Sequence, residues 1–250
     1  MTSLVFAYAL RLGDDALILG QRLAEWTGQA PALEVDLSLA NMGLDLLGQA
    51  SSFLSHAAAS EGAGRDADKL AFHRDVLDFT NCLIVEQPNG DFAQTIARQF
   101  LFSNFQLLFL IELEKSSDGT LAAIAAKAAK EVRYHAELAS EWVVRLGDGS
   151  AESHQRMSDG IDWMWRFVDE LFQMDELDQA LCATGIAVDR SALKPEFDRL
   201  IQDVLSEATL QRPSVVRSVS GGRRGSHSEH LGHVLAVMQH LPRMYPDATW

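Results

Sequence analysis

Two long amphipathic stretches of this chain carry nearly the same frame, Asp45-Leu46-Leu47-Gly48-Gln49 and Glu131-Val132-Arg133-Tyr134-His135. In each, an acid precedes an apolar residue, and an amide or imidazole stands four positions after the acid. Helical side chains three or four apart share a face. In bundles that hold two metal ions, two of the helices each present a Glu and, three residues on, a His to the interior. Here the frames read Leu46-x-x-Gln49 and Val132-x-x-His135. They trace a dinuclear carboxylate site with most of its ligands missing, which constrains the chain to a bundle of long helices and argues against metal chemistry on the chain itself.

Apolar residues recur at three and four spacing through Leu4–Trp26 and Val35–His56, with Pro31 at the turn, so two long antiparallel helices are predicted. A Gly-rich break at Glu61–Arg65, a short helix near Lys69–Arg74 and an irregular stretch lead to Gln87-Pro88-Asn89-Gly90. Asp91 is placed to cap the third long helix, which runs to about Lys115, and the fourth spans Thr120–Leu146. Further helices are predicted at Ser153–Phe172, near Leu177, at Leu193–Leu210 and at Glu229–Leu241, with an exposed connection over Gln211–Ser228. No strand pair is predicted. The expectation is one all-α domain over residues 1–250, a long four-helix bundle over about 3–147 with extra helices packed on it over about 152–250.

A chain of 250 residues with 47% hydrophobic residues can bury a sizeable core. Its formal charge of −14 disfavours a phosphate backbone as partner, so nucleic acid is not expected. The uncharged run Gln99–Ile111 is too short to cross a bilayer, and the first residues lack the pattern of a signal peptide. Cys82 and Cys182 alone make neither a disulfide framework nor a thiolate cage, which fits a reducing cytoplasm.

Several constellations invite a functional reading. Asp45, Glu131 and His135 could form a degraded metal site, but a dinuclear centre needs several carboxylates to balance the ions' charge. The expectation for His135 is therefore a buried histidine bonded to a neighbour such as Gln49 or Asp45. His227, His230 and His233 lie three apart, yet Ser226 with Glu229 reads as a capping box that opens the last helix, which leaves the imidazoles on its first turns. Trp163, Trp165, Phe167 and Phe172 are read as core or as a contact with a partner. No phosphate loop and no serine or cysteine nucleophile motif is present. Gly221-Gly222-Arg223-Arg224-Gly225 is a compact basic segment before a helix start, where Arg223 and Arg224 could hold a phosphate of a CoA thioester or dock an acidic surface.

Ala40–Gln49, the turn Val85-Glu86-Gln87-Pro88-Asn89-Gly90-Asp91-Phe92, His227-Ser228-Glu229-His230-Leu231-Gly232 and the two frames together resemble the structural components of the bacterial phenylacetyl-CoA epoxidases. The resemblance covers essentially the whole chain. It implies a ferritin-like helical bundle that serves as structural partner of a homologous catalytic subunit, which carries the di-iron centre. It also implies that Ala16, Leu46, Gln49, Ser103, Val132 and His135 stand where the catalytic subunit has its ligands, with only His135 keeping a ligand type. On this reading the chain has no catalytic residue and binds no cofactor of its own. The complex would add one oxygen atom of O₂ across the ring of phenylacetyl-CoA, with electrons from a separate reductase subunit. The rival expectation is an independent ferritin-like oxygenase or metal-binding protein using Asp45, Glu131 and His135.

Overall fold

The computed structural model describes residues 2–214, 217–246 and 248, and among these the regular elements are all helices. In chain order the first are α1 (Thr2–Ala24), α2 (Leu33–Glu61), α3 (Ala67–Phe72), α4 (Leu83–Glu86), α5 (Phe92–Leu113) and α6 (Gly119–Gly147). There follow α7 (Ala151–Trp165), α8 (Val168–Phe172), α9 (Glu176–Cys182), α10 (Lys194–Glu207), α11 (Glu229–Met238) and α12 (His240–Met244). The fold is all-α and of the ferritin-like helical class. Its helices form two compact units, Met1–Gln87 with Gly221–Trp250, and Pro88–Ser220.

In the first unit α1 and α2 pack against each other along their length. Glycines set how closely they approach. A Cβ on Gly20 would lie 3.3 Å from the Gly43 carbonyl oxygen, and one on Gly13 would meet the Leu54 side chain at 2.7 Å. Leu17, Ile18, Leu19 and Leu23 of α1 and Leu46, Phe53 and Leu54 of α2 are buried in this core. Helix α2 stops where Gly62 adopts φ +69° and its N–H returns to the Ala58 carbonyl, a left-handed cap that glycine takes at least cost.

Two acids interrupt the apolar face of α1. Asp14 is fully buried and pairs with the guanidinium of Arg74. Its Oδ2 also accepts from the Thr80 N–H at 2.9 Å and the Thr80 hydroxyl at 3.1 Å. Arg74 donates further to the Leu70 and Asp78 carbonyls and lies over the Phe79 ring at 4.1 Å. Adjacent Asp15 accepts the Cys82 N–H at 2.7 Å and two bonds from Arg223, at 3.0 and 2.6 Å. The irregular stretch between α3 and α4 is thereby bonded to α1. So is the segment that precedes α11.

The second unit is built on α5 and α6, of which α5 is capped as its sequence predicts. Asp91 accepts the Gln94 N–H at 2.9 Å, and Asp118 accepts those of Thr120 and Leu121 at 3.0 Å. Gly160 brings α7 onto α5, since a Cβ there would stand 3.1 Å from the Ala93 carbonyl oxygen. Phe105 and Phe197 meet Phe172 edge-on, with centroids at 5.4 and 5.1 Å. Asp178 and Arg190 form a second buried ion pair. Among the described residues α5 is the helix long and apolar enough to cross a membrane, but 72% of its apolar window is buried within the protein. Core packing accounts for its hydropathy.

The structure corrects several predicted boundaries. Ser153–Phe172 is two helices, because the Arg166 carbonyl accepts the Val219 N–H at 2.8 Å in place of a partner in the helix. Glu229–Leu241 also divides, at Gln239, whose side-chain amide donates to the Ala71 and Arg74 carbonyls at 3.2 and 2.9 Å. The connection Gln211–Ser228 is not exposed throughout. Gly221 and Gly222 are buried, and a Cβ on Gly222 would fall 2.2 Å from the Asn81 carbonyl oxygen.

Arg74→Leu should leave the Asp14 carboxylate buried without its cation, at a cost of about 3–5 kcal/mol. The expected readout is a lower urea midpoint with an unchanged slope. A loss below about 1 kcal/mol, the range of an exposed pair, would show that this ion pair does not seat the segment.

Candidate functional site

In the first unit Ala16 of α1 and Leu46 and Gln49 of α2 are all buried. In the second unit Ser103 of α5 and Val132 and His135 of α6 are likewise buried. The frame positions thus lie on the inward faces of their helices, as three-residue spacing requires. The acids beside them do not. Asp45 and Glu131 are part-exposed, and Glu131 lies 3.6 Å from Lys127 one turn away. Among the described residues no group of three His, Cys, Asp or Glu side chains is gathered as a metal site would need.

The chemistry of these side chains does not fit a dinuclear centre. Two iron or manganese ions require carboxylates for charge balance, whereas the frames offer a methyl, two branched hydrocarbons, an amide, a hydroxyl and one imidazole. Each half is hydrophobic core with isolated polar groups.

The C-terminal histidines are not gathered on one helix face. His227 precedes α11, and its side chain is 1% exposed. Its Nδ1 lies 2.7 Å from Oε2 of the buried Glu86 and its Nε2 lies 2.8 Å from the Phe79 carbonyl oxygen. Both partners are acceptors, so both ring nitrogens must donate, and the ring is an imidazolium. The helix begins at Ser228 rather than at a Ser226 capping box, because the Ser228 N–H and hydroxyl are both taken by Glu86 Oε1, at 2.6 and 2.7 Å. Asn81 completes the shell of Glu86 at 2.8 Å, and Arg22 grips the Glu86 carbonyl at 2.8 and 3.1 Å. His230 is half-buried and His233 is exposed.

Arg223 is not a solvent-facing cation. Besides Asp15 it donates to the Thr80 carbonyl at 2.9 Å and the Arg11 carbonyl at 3.3 Å, and its side chain is 11% exposed. The basic segment is an internal clasp rather than a flexible phosphate loop, and Arg224 is its exposed member. Trp163 and Trp165 do not form one aromatic cluster with Phe167 and Phe172. The phenylalanines are core, whereas Arg166 lies over the partly exposed Trp163 at 4.2 Å and Arg212 over Trp165 at 4.9 Å. Sequence reasoning missed Asp14, Asp15 and Glu86. The available signal was a pair of acids inside the apolar run Leu10–Leu19, where a helix facing solvent on that side would not bury them.

An all-α, ferritin-like chain with hydrocarbon at its ligand frames is the class that these features define. The chain belongs to the phenylacetic acid catabolic protein family, whose model matches residues 2–250. It is 51% identical over 244 residues, 98% of each chain, to the C subunit of the 1,2-phenylacetyl-CoA epoxidase of Escherichia coli (strain K12).

His227 supplies a pH test. Burial alone would push its pKa down, but hydrogen bonds to Glu86 and the Phe79 carbonyl, with the nearby charges of Glu86 and Asp14, hold it above its ordinary 6.5. The contribution to stability is therefore complete below pH 6.5 and is lost as pH rises through the higher folded value. The stability gap between the wild type and His227→Gln should shrink as pH rises above 6.5. A gap independent of pH would mean that the ring is neutral in the fold.

Proposed function

We propose that this chain is the non-catalytic structural subunit of a phenylacetyl-CoA epoxidase complex, working in aerobic phenylacetate breakdown in the cytoplasm. The observation that carries the reading is the burial of Leu46 and Val132 at the frames where this class of bundle sets carboxylate ligands. Full burial of each contributes about 1.5–3 kcal/mol, whereas an unpaired carboxylate there would cost energy. Kinship to an epoxidase component over 98% of both chains supports the same assignment. In this reading a homologous catalytic subunit holds the di-iron centre, a reductase subunit supplies electrons, and no chemical step passes through the residues of this chain. Its role is to support and dock the catalytic subunit.

The test is metal content and oxygen-dependent turnover of phenylacetyl-CoA by this chain alone and then with the catalytic subunit. Expected are iron retention equal to that of His135→Ala, no turnover alone, and turnover only in the complex. Stoichiometric iron that His135→Ala loses, or epoxidation by this chain alone, would overturn the proposal. The double variant Leu46→Glu, Val132→Glu should lose several kcal/mol of stability in metal-free buffer, because it places two carboxylates at fully buried positions. An unchanged melting temperature would contradict the packed-frame reading.

A further inference from the structure

Within the second unit, Arg166 at the end of α7 and Arg217 of the segment after α10 line one cleft of about 920 Å³, together with Ser214, Ser218, Ser220 and Asp162. The segment is fixed to the helix end where the Val219 N–H donates to the Arg166 carbonyl at 2.8 Å. These two cations differ from others of the unit. Arg156, Arg190, Arg199 and Arg212 each pair with a carboxylate of the same unit. Arg166 and Arg217 pair with none among the described residues.

Arg166 is nevertheless held in place. Its Nε donates to the Trp163 carbonyl at 3.1 Å, and its guanidinium lies over the Trp163 ring at 4.2 Å. Those contacts occupy the Nε–H and one face of the plane, and leave Nη1 and Nη2, the edge by which arginine takes two oxygens at once. A side chain fixed beforehand loses little freedom when a ligand arrives. The three serine hydroxyls add donors that rotate to suit an acceptor, and none has a partner among the described residues. Against two guanidiniums the lining sets the single acid Asp162, so the cleft is positive in a chain of charge −14. Such a cleft concentrates anions that the rest of the surface repels. Donors from two segments suit a phosphate group, whose tetrahedral oxygens accept from several directions, better than a carboxylate, which accepts in one plane. The volume is that of a small-molecule site, so the phosphate is carried on a polar body.

We infer that Arg166 and Arg217 form a binding site for a phosphate ester, taken by the Nη edge of Arg166 and shared with Arg217 and the serine hydroxyls. The inference does not rest on the epoxidase assignment, since a CoA thioester and a free nucleotide present the same group. The test is calorimetric titration of the full chain at low ionic strength with pyrophosphate, adenosine monophosphate and CoA. Saturable one-to-one binding is expected. Arg166→Gln and Arg217→Gln should each weaken it at least about tenfold, the worth of one charge-assisted contact. Arg217 is exposed, so its variant keeps the test decisive if Arg166→Gln disturbs the Trp163 contact. Arg133→Gln removes the same charge from an exposed position on α6 and should change nothing. CoA binding more tightly than the other two probes supports the site as one for a CoA phosphate; equal affinities support it as one for a free phosphate ester. Absence of binding by all three probes at millimolar concentration overturns the inference. So does an equal loss in Arg133→Gln and Arg217→Gln, which would mark a diffuse effect of charge.

Discussion

Asp14 and Asp15 stand side by side in the middle of α1, and the first unit is organised around their burial. Neighbouring residues on a helix point about 100° apart, so the two carboxylates reach different segments. Asp14 takes Arg74 and Thr80, while Asp15 takes the Cys82 N–H and Arg223. A buried acid without partners would cost several kcal/mol. Here each is met by a guanidinium and by backbone or hydroxyl donors, the charge-assisted bonds that offset desolvation best. Glu86 extends the arrangement through His227 and Ser228, and brings the chain leading into α11 against α4. The stretch Arg74–Cys82 is tied to α1 by these charges and also buries Phe79 and Cys82.

The same unit treats its other inward positions in the opposite way. Ala16 lies on α1 only one residue beyond the acid pair, and Leu46 is fully buried on α2. Carboxylates stand where a cation from the same chain reaches them, and hydrocarbon fills the positions that no such cation reaches. Protein interiors tolerate ionised acids only with partners, so an acid at Leu46 would need a counter-charge that the fold does not place there.

Much of this was legible from residue order. The four long helices, the turn at Pro31, the Asp91 cap and the inward frames all follow from periods of three and four and from cap chemistry, which are local rules. Where prediction failed, a distant group had intervened. Ser153–Phe172 looks continuous until Val219 claims the Arg166 carbonyl, and Ser226 looks like a cap until Glu86 claims Ser228 instead. Gly221–Gly225 has the composition of a solvent loop, yet Asn81 leaves room only for glycine at position 222.

By itself the sequence determined the helices and the chemistry of the frames, because both depend on side chains within one or two turns of each other. Tertiary structure alone decided which charges are buried and with whom, since Asp14 and Arg74 are 60 residues apart and Asp15 and Arg223 are 208 apart. It also decided that the face of α2 carrying Leu37 and Leu44 stays open while the opposite face packs on α1. Periodicity identifies an apolar stripe, but only the packed helices determine which stripe is covered, because burial is a property of neighbours that the local chain does not contain.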